Sequence, residues 1–518
     1  MRILVAESLA EEGLALLRPD HEVDIRTGLP RAEFLAALPG YQALLVRSQV
    51  QVDAEAIAAG VDLIVIGRAG VGVDNIDLNA ATAAGITVVN APTGNTIAAA
   101  EHTLALLFAL TRRVAAADAS MRRGEWKRAP FTGRELRGKT LGIVGLGKIG
   151  LTVADRARAL EMDLLGYDPY VTEEVATRHG VHLVPLAELL KRSDAVTVHV
   201  PLTRATKDLI GAAELATMKP DALLINVARG GVIDEAALAE ALDHDRLGGA
   251  AVDVYTSEPP TGSPLLTAKN TVLTPHLGAS TEEAQTRVAV EAAQQVRDVL
   301  AGRPARYAVN APLLTPETEQ ALAPYLPLAR VLGQFYAQFA PDLDGLTLEV
   351  AGELAAHDAA PLAAAALVGL LETLTDKRVN SVNAPHIARE QGISLMEHKT
   401  PDAGRYASML TLSGSSRVSG TIDAGEPRLV RLGDYWLDMA PAANTLVTRH
   451  RDQPGTMGRI GVVLGDADVN ISAMTLGRST PRADALMILA LDDAVPAEVI
   501  EAIRGQEAVL DLWLIRLT

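Results

Sequence analysis

Short apolar runs alternate with amphipathic stretches from Met1 to about Pro92. The runs are Ile3–Ala6, Val23–Ile25, Ala43–Val46, Leu63–Ile66 and Ile86–Val89. Between them, Ala10–Leu17, Arg31–Leu38, Asp53–Ala59 and Asp77–Ala83 carry apolar residues at helical spacing, with Gly and Pro at the joins. That alternation predicts a parallel α/β sheet. Thr96 to Arg123 reads as one long Ala/Leu-rich helix that bridges to a second unit of the same kind. The strands of that unit are Leu141–Val144, Asp163–Tyr167, Ala195–Val200, Ala222–Val227, Ala250–Val254 and Thr271–Leu273. Ser280–Leu300 is another long helix, and its start, Ser280-Thr-Glu-Glu283, has the form of a capping box. The second unit therefore reads as an insertion into the first, with the two long helices as crossings.

Past Asn310-Ala-Pro312 the pattern changes. Thr315 to about Ala442 holds Ala-rich helical stretches and then Gly- and Ser-rich strand-like runs such as Met409–Gly414, an α+β pattern. The last segment is regular: strand Thr445–Thr448, helix Thr456–Leu464, strands Val469–Leu476 and Ala485–Leu491, helix Ala497–Ile503 and strand Val509–Leu517. This βαββαβ order is the ferredoxin-like arrangement. The expected division is 1–95 with 281–305, then 96–280, 306–442 and 443–518.

Composition narrows the class. A chain of 518 residues exceeds one core, and several domains are expected. Aromatic residues make up only 3% of it, so the core rests on Ala, Val, Leu and Ile. With no cysteine there is no disulfide, thiolate nucleophile or Cys-ligated metal. A net charge of −17 argues against nucleic acid or an anionic membrane as partner, so an anionic substrate must meet local basic residues. The first residues lack the regions of a signal peptide, and Leu104–Leu110, the longest apolar run, is too short to span a bilayer. A soluble, cytoplasmic protein is expected.

Chemistry enters at Gly145-x-Gly147-x-x-Gly150, directly after the Leu141–Val144 strand. Gly145 allows the tight turn, Gly147 lets backbone N–H groups approach a pyrophosphate, and Gly150 lets helix and strand pack closely. The helix N-terminus adds partial positive charge. Asp168 ends the next strand, where a carboxylate bonds the ribose hydroxyls and repels a 2′-phosphate, which favours NAD over NADP. Three polar clusters follow at or near later strand ends, where open α/β sheets bind ligands. They are Asn226-Val-Ala-Arg-Gly-Gly231, Glu258 before Pro-Pro, and Thr274-Pro-His-Leu-Gly-Ala279. Oxidation of a secondary alcohol needs a hydride acceptor, a base and a positive group on the substrate. NAD, a histidine oriented by a carboxylate, and an arginine meet that list.

Together, the glycine loop, Asn226–Gly231, Glu258 and Thr274–Ala279 closely resemble the D-isomer-specific 2-hydroxyacid dehydrogenases over about residues 1–305. The resemblance implies a Rossmann cofactor domain inserted in a flavodoxin-like α/β substrate domain. It implies His276 as acid/base, Glu258 as its partner and Arg229 as the clamp on carboxylate and carbonyl. It places the cofactor near Val71, Gly145, Gly147, Lys148, Ile149, Gly150, Asp168, Val200, Val227, Ala228, Arg229, Asp253, His276, Gly278 and Ala279. Substrate is expected at Arg47, Ser48, Gly70, Asn95, Arg229 and His276, with Lys127 and Arg128 reaching a neighbouring subunit's cleft.

The intervening segment and the ACT-like tail resemble the long members of this family, which oxidise 3-phosphoglycerate on the way to serine; Arg68–Asn75 and Gly124–Arg128 fit that branch. In ACT modules small amino acids bind between paired subunits, and the matching residues are His450, Asp452 and Asn470, with L-serine the implied effector. A homotetramer or homodimer is expected. The competing readings are another hydroxy acid, such as hydroxypyruvate or glyoxylate, and a non-enzymatic NAD-sensing protein. The complete Arg229, Glu258 and His276 set argues against the second.

Overall fold

The computed structural model describes every residue except 313–315, 341, 479 and 518, so Thr315, where the Ala-rich pattern of the 306–442 segment was read to begin, lies outside the described residues. The chain forms four sheets. In the first, strands Glu22–Ile25, Arg2–Val5, Ala43–Val46, Val65–Arg68 and Thr87–Asn90 lie side by side in that order, all parallel. Strand order reverses between Arg2–Val5 and Ala43–Val46, and such a switch point opens a crevice at the carboxyl ends of the strands. One face packs on the helix Glu282–Leu300 through Val288, Ala292, Ala293 and Val296. The chain thus returns to its first sheet after the second is complete.

The second sheet is also parallel. Its order is Thr271–Leu273, Gly249–Val252, Leu223–Asn226, Ala195–Val198, Thr140–Val144, Asp163–Tyr167 and Val181–Leu183. This is a Rossmann-type sheet with one strand added at the far edge.

Two expectations about the crossings need correction. The stretch 96–123 is two helices, Thr96–Thr111 and Val114–Arg122, broken at Arg113, whose φ is 52°. The Thr111 carbonyl accepts from the N–H of Arg134 at 2.9 Å, so a segment distant in sequence takes the acceptor that would carry the ladder onward. At the other crossing the cap is Thr281, not Ser280. The Thr281 hydroxyl accepts from Ala284 N–H at 3.1 Å and the helix starts at Glu282.

The third sheet holds six strands in the order Leu395–Thr400, Leu346–Gly352, Ser408–Ser413, Arg417–Asp423, Glu426–Leu432 and Tyr435–Met439. The first pair is parallel and the rest are antiparallel. The fourth is antiparallel, in the order Ile471–Arg478, Asp484–Leu491, Asn444–Arg451 and Val509–Arg516. These two sheets share a core. Helix Tyr325–Phe339 buries Leu332, Phe335 and Tyr336 among Val447, Ile488 and Ile515 of the last sheet. Phe339 and Trp513 stack with centroids 4.8 Å apart, and Gln338 exchanges two hydrogen bonds with the Arg516 backbone. Toward the first sheet, Asn380 donates to the Gly85 carbonyl at 2.7 Å and Arg378 to that of Leu63 at 3.2 Å.

Candidate active site

The glycine loop has the geometry its sequence requires. Gly145 sits at φ 95°, and a Cβ there would come within 2.8 Å of the Val200 side chain. A Cβ on Gly150 would lie 2.0 Å from the Gly145 carbonyl oxygen, so the helix Lys148–Ala159 can pack this closely only on glycine. A Cβ on Gly147 would meet nothing within 4 Å, so the approach to the helix N-terminus is open. No side chain caps that helix, which leaves its first N–H groups available to an anion. A dinucleotide pyrophosphate fits this cradle.

Asp168 stands beside the loop and accepts from Leu146 N–H and Tyr170 N–H, both at 2.8 Å. Val227 is buried in a core cluster that Ile149 packs against, and Val200 packs against a second cluster of the same domain. The Lys148 ammonium lies 5.7 Å from the Tyr307 ring centroid.

Arg229 follows a strand end held by its own turn. Buried Asn226 accepts from Ala228 N–H and donates to the Arg229 carbonyl. The guanidinium donates through Nε to Asp74 at 3.1 Å and through Nη1 to the Ala228 carbonyl at 2.7 Å. It crosses above Gly72, where a Cβ would lie 1.9 Å from Nη2. His276 takes a left-handed backbone conformation with φ 56°, and its Nδ1 is 2.8 Å from Glu258 Oε2. The other Glu258 oxygen accepts from Tyr255 N–H at 3.1 Å, which fixes the carboxylate. Nε2 of His276 has no protein partner among the described residues.

Asp253 supports the loop that carries His276. Fully buried, it accepts from Thr274 Oγ1, Leu277 N–H and Gly278 N–H at 2.6, 2.7 and 2.8 Å, with His102 Nε2 at 3.2 Å. Burial pushes its carboxyl up, but the hydrogen bonds from His102, Thr274 and Leu277 outweigh that and hold it below the usual carboxylate range. Thr274, Leu277 and Gly278 are thereby tied to one anion, and His276 donates its own N–H to the Asp253 carbonyl at 2.8 Å.

A cleft of about 1120 Å³ lies between the two parallel sheets. Arg47, Ser48, Gly70, Val71 and Asn95 line one side, and Arg229, Glu258, His276 and Ala279 the other. The Asn95 side-chain oxygen is buried without a partner. Lys127 pairs with Glu125 at 3.3 Å, and neither it nor Arg128 lines this cleft within one protomer.

Three residues at the cleft or its supporting shell escaped the sequence reading. Arg68 ends the strand Val65–Arg68 and lines the cleft. It stands at the head of the Arg68–Asn75 stretch, so its place at a strand end was the available signal. Buried Glu7 accepts from the N–H groups of Arg47, Gln49 and Val50 at about 3 Å and shapes the loop that presents Arg47. His102 sits inside a helix read only as a bridge.

The tail residues do not converge in one protomer. Asp452 adjoins Arg482 N–H and Arg478, at the start of strand Asp484–Leu491. Asn470 donates to Asp492 at 2.6 Å, at the end of that strand. Seven strand steps separate the two sites, on the order of 20 Å. The His450 ring is buried, 2% exposed.

An open Rossmann-type glycine loop, with an arginine and a carboxylate-anchored histidine facing a cleft beside it, defines an NAD(P)-binding dehydrogenase. Comparison with known proteins is specific. Residues 104–278 match the NAD-binding domain of D-isomer specific 2-hydroxyacid dehydrogenases, 321–433 the D-3-phosphoglycerate dehydrogenase intervening domain and 444–508 the ACT domain. D-3-phosphoglycerate dehydrogenase of Synechocystis is 45% identical over all of this chain and 95% of its own. That of Archaeoglobus fulgidus is 41% identical over the whole of both chains. A solved glyoxylate reductase from Paecilomyes thermophila superposes with TM-score 0.55 at 30% identity, covering 60% of this chain and 98% of its own. The chain belongs to the D-isomer-specific 2-hydroxyacid dehydrogenase family and, within it, to the long-form D-3-phosphoglycerate dehydrogenases that carry an ACT domain.

Proposed function

We propose that this protein oxidises 3-phospho-D-glycerate to 3-phosphohydroxypyruvate, the entry to phosphorylated L-serine synthesis. One observation carries the chemistry: Glu258 holds Nδ1 of His276, leaving Nε2 for the cleft that Arg229 also lines. NAD, when bound, would supply the acceptor for the C2 hydride. His276 takes the hydroxyl proton at Nε2, and Glu258 stabilises the imidazolium that forms. Arg229 has donors left after Asp74 and the Ala228 carbonyl, and these hold the substrate carboxylate beside the developing carbonyl. Gly145, Gly147 and Gly150 cradle the pyrophosphate, and Asp168 meets the ribose, which favours NAD over NADP. Asp253, fully buried, acts on the cofactor site by holding the Thr274–Gly278 loop that borders it.

The matched ACT domain supports regulation by a small molecule, with L-serine the reading that the family suggests. Asp452 and Asn470 would form that site from different subunits, since one protomer separates them. NADH appearance with 3-phosphoglycerate, in the presence of a trap for the keto product, tests the function. No NADH with any 2-hydroxy acid would refute the dehydrogenase reading. Equal rates with D-glycerate would refute the phosphorylated substrate.

A further inference from the structure

Four donors converge on the Asp253 carboxylate. Thr274 Oγ1, Leu277 N–H and Gly278 N–H all belong to the loop that carries His276. The fourth, His102 Nε2, comes from the crossing helix Thr96–Thr111 and lies 3.2 Å from both Asp253 Oδ1 and Thr274 Oγ1. Among these donors it alone comes from outside the loop. Burial pushes the Asp253 carboxyl up, but its hydrogen bonds, that from His102 the largest, pull it below the usual range and keep it ionised. Thr274 gives its only hydroxyl proton to Oδ1 at 2.6 Å, so both oxygens facing His102 present lone pairs alone. Nε2 therefore carries a proton, whether the ring is neutral or charged.

The helix that presents His102 also reaches the cofactor side of the site. Asn95, just before its first turn, lines the cleft. Glu101, the neighbour of His102, pairs at 3.4 Å with Arg156 of the glycine-loop helix Lys148–Ala159. That pair is mostly exposed and weak. The His102 side chain, by contrast, is only 18% exposed and its partner Asp253 is fully buried. One turn of one helix thus touches both the helix that starts at the pyrophosphate cradle and the loop that carries the base.

We propose that His102 is a positioning residue for proton transfer at His276: its Nε2–H, shared between Asp253 and Thr274, sets the 274–278 loop against the crossing helix. The inference rests on the function proposed above and adds the residue that fixes where its base stands. His102 does not line the cleft, so it acts through Asp253 rather than on the substrate. Arg229 is held separately, by Asp74 and the Ala228 carbonyl. Loss of the His102 donor therefore falls on the chemical step and spares the anchoring of the substrate carboxylate.

The test follows single-turnover NADH formation from 3-phospho-D-glycerate by the full chain with NAD, in the wild type, His102→Phe and His102→Gln. His102→Phe keeps a planar ring without the donor and should slow this step about 10- to 100-fold, the scale of a misplaced catalytic group. KM for the hydroxy acid and Kd for NADH should each change by less than about threefold. His102→Gln, whose side-chain N–H₂ can reach the same oxygens, should recover to within about threefold of the wild type. An unchanged rate in His102→Phe, or equal impairment of the Phe and Gln variants, would overturn the positioning role. Thermal melting checks the fold. Should His102→Phe not fold, nitrogen NMR of the wild-type holoenzyme decides: His102 Nε2 should carry a proton, and a bare Nε2 would overturn the inference. A wild type that forms no NADH from any 2-hydroxy acid would instead overturn the proposed function.

Discussion

Asp74 accepts a hydrogen bond from Arg229 Nε at 3.1 Å, joining the first sheet's crevice to a strand end of the second. The carboxylate is exposed and the guanidinium is not. Such a pair contributes little to stability, about 0–1 kcal/mol. Its effect is directional: with Nε on Asp74 and Nη1 on the Ala228 carbonyl, Nη2 and the second Nη1 N–H are left for the cleft. Asp74→Ala should raise KM for the hydroxy acid by no more than about fivefold and leave kcat and Tm nearly unchanged. Steady-state kinetics with saturating NAD decides. A tenfold fall in kcat would show that Asp74 acts in the chemical step.

His276 and Glu258 should separate by parameter. His276→Ala removes the base and should lower kcat by about 10²- to 10⁴-fold. NADH binding, followed by fluorescence, should stay near normal. Glu258→Gln keeps a hydrogen-bond partner for Nδ1 but not its charge, and should give a smaller loss, confined to kcat. Full turnover by His276→Ala would remove it from the reaction.

Much of this architecture was legible because it rests on local rules. Strand–helix alternation predicted both parallel sheets, and the spacing of Gly145, Gly147 and Gly150 predicted a turn whose close contacts now admit no other residue at Gly150. What escaped depends on partners far away in sequence. Arg134 captures the Thr111 carbonyl and ends a helix that periodicity carries to Arg123. Val447, Ile488 and Ile515 pack on helix Tyr325–Phe339, so two segments with distinct patterns share one core. Arg68 is conspicuous only once burial and its lack of a partner are known, and neither quantity is written in a strand-end arginine.

Asp168 should show two effects at once. Its two oxygens hold Leu146 N–H and Tyr170 N–H, so it shapes the glycine loop besides the ribose role proposed for it. Asp168→Ala should weaken NADH binding and cut the preference for NAD over NADP by about tenfold, the scale of one charge-assisted contact. Paired kcat/KM values with the two cofactors read this directly. Weaker NADH binding with an unchanged preference would restrict Asp168 to shaping the loop.

Asp253 predicts a pH signature. Its folded carboxyl lies below the ordinary value of about 3.9, so its charge contributes stability that is fully present above that pH. The contribution drains as pH falls through 3.9 and then through the lowered folded value. Asp253→Asn keeps the shape but sets an amide N–H₂ among donors. One of Leu277 N–H, Gly278 N–H or Thr274 Oγ1 then lacks an acceptor, at a cost of about 1–3 kcal/mol. The Tm gap between wild type and variant should be constant from neutral pH to about 5 and narrow below about 4. The same variant should bind NADH more weakly and lower kcat, because the loop carrying His276 is no longer tied to one anion. A gap that stays constant through the acid range would place the effect in packing rather than in the carboxylate's charge.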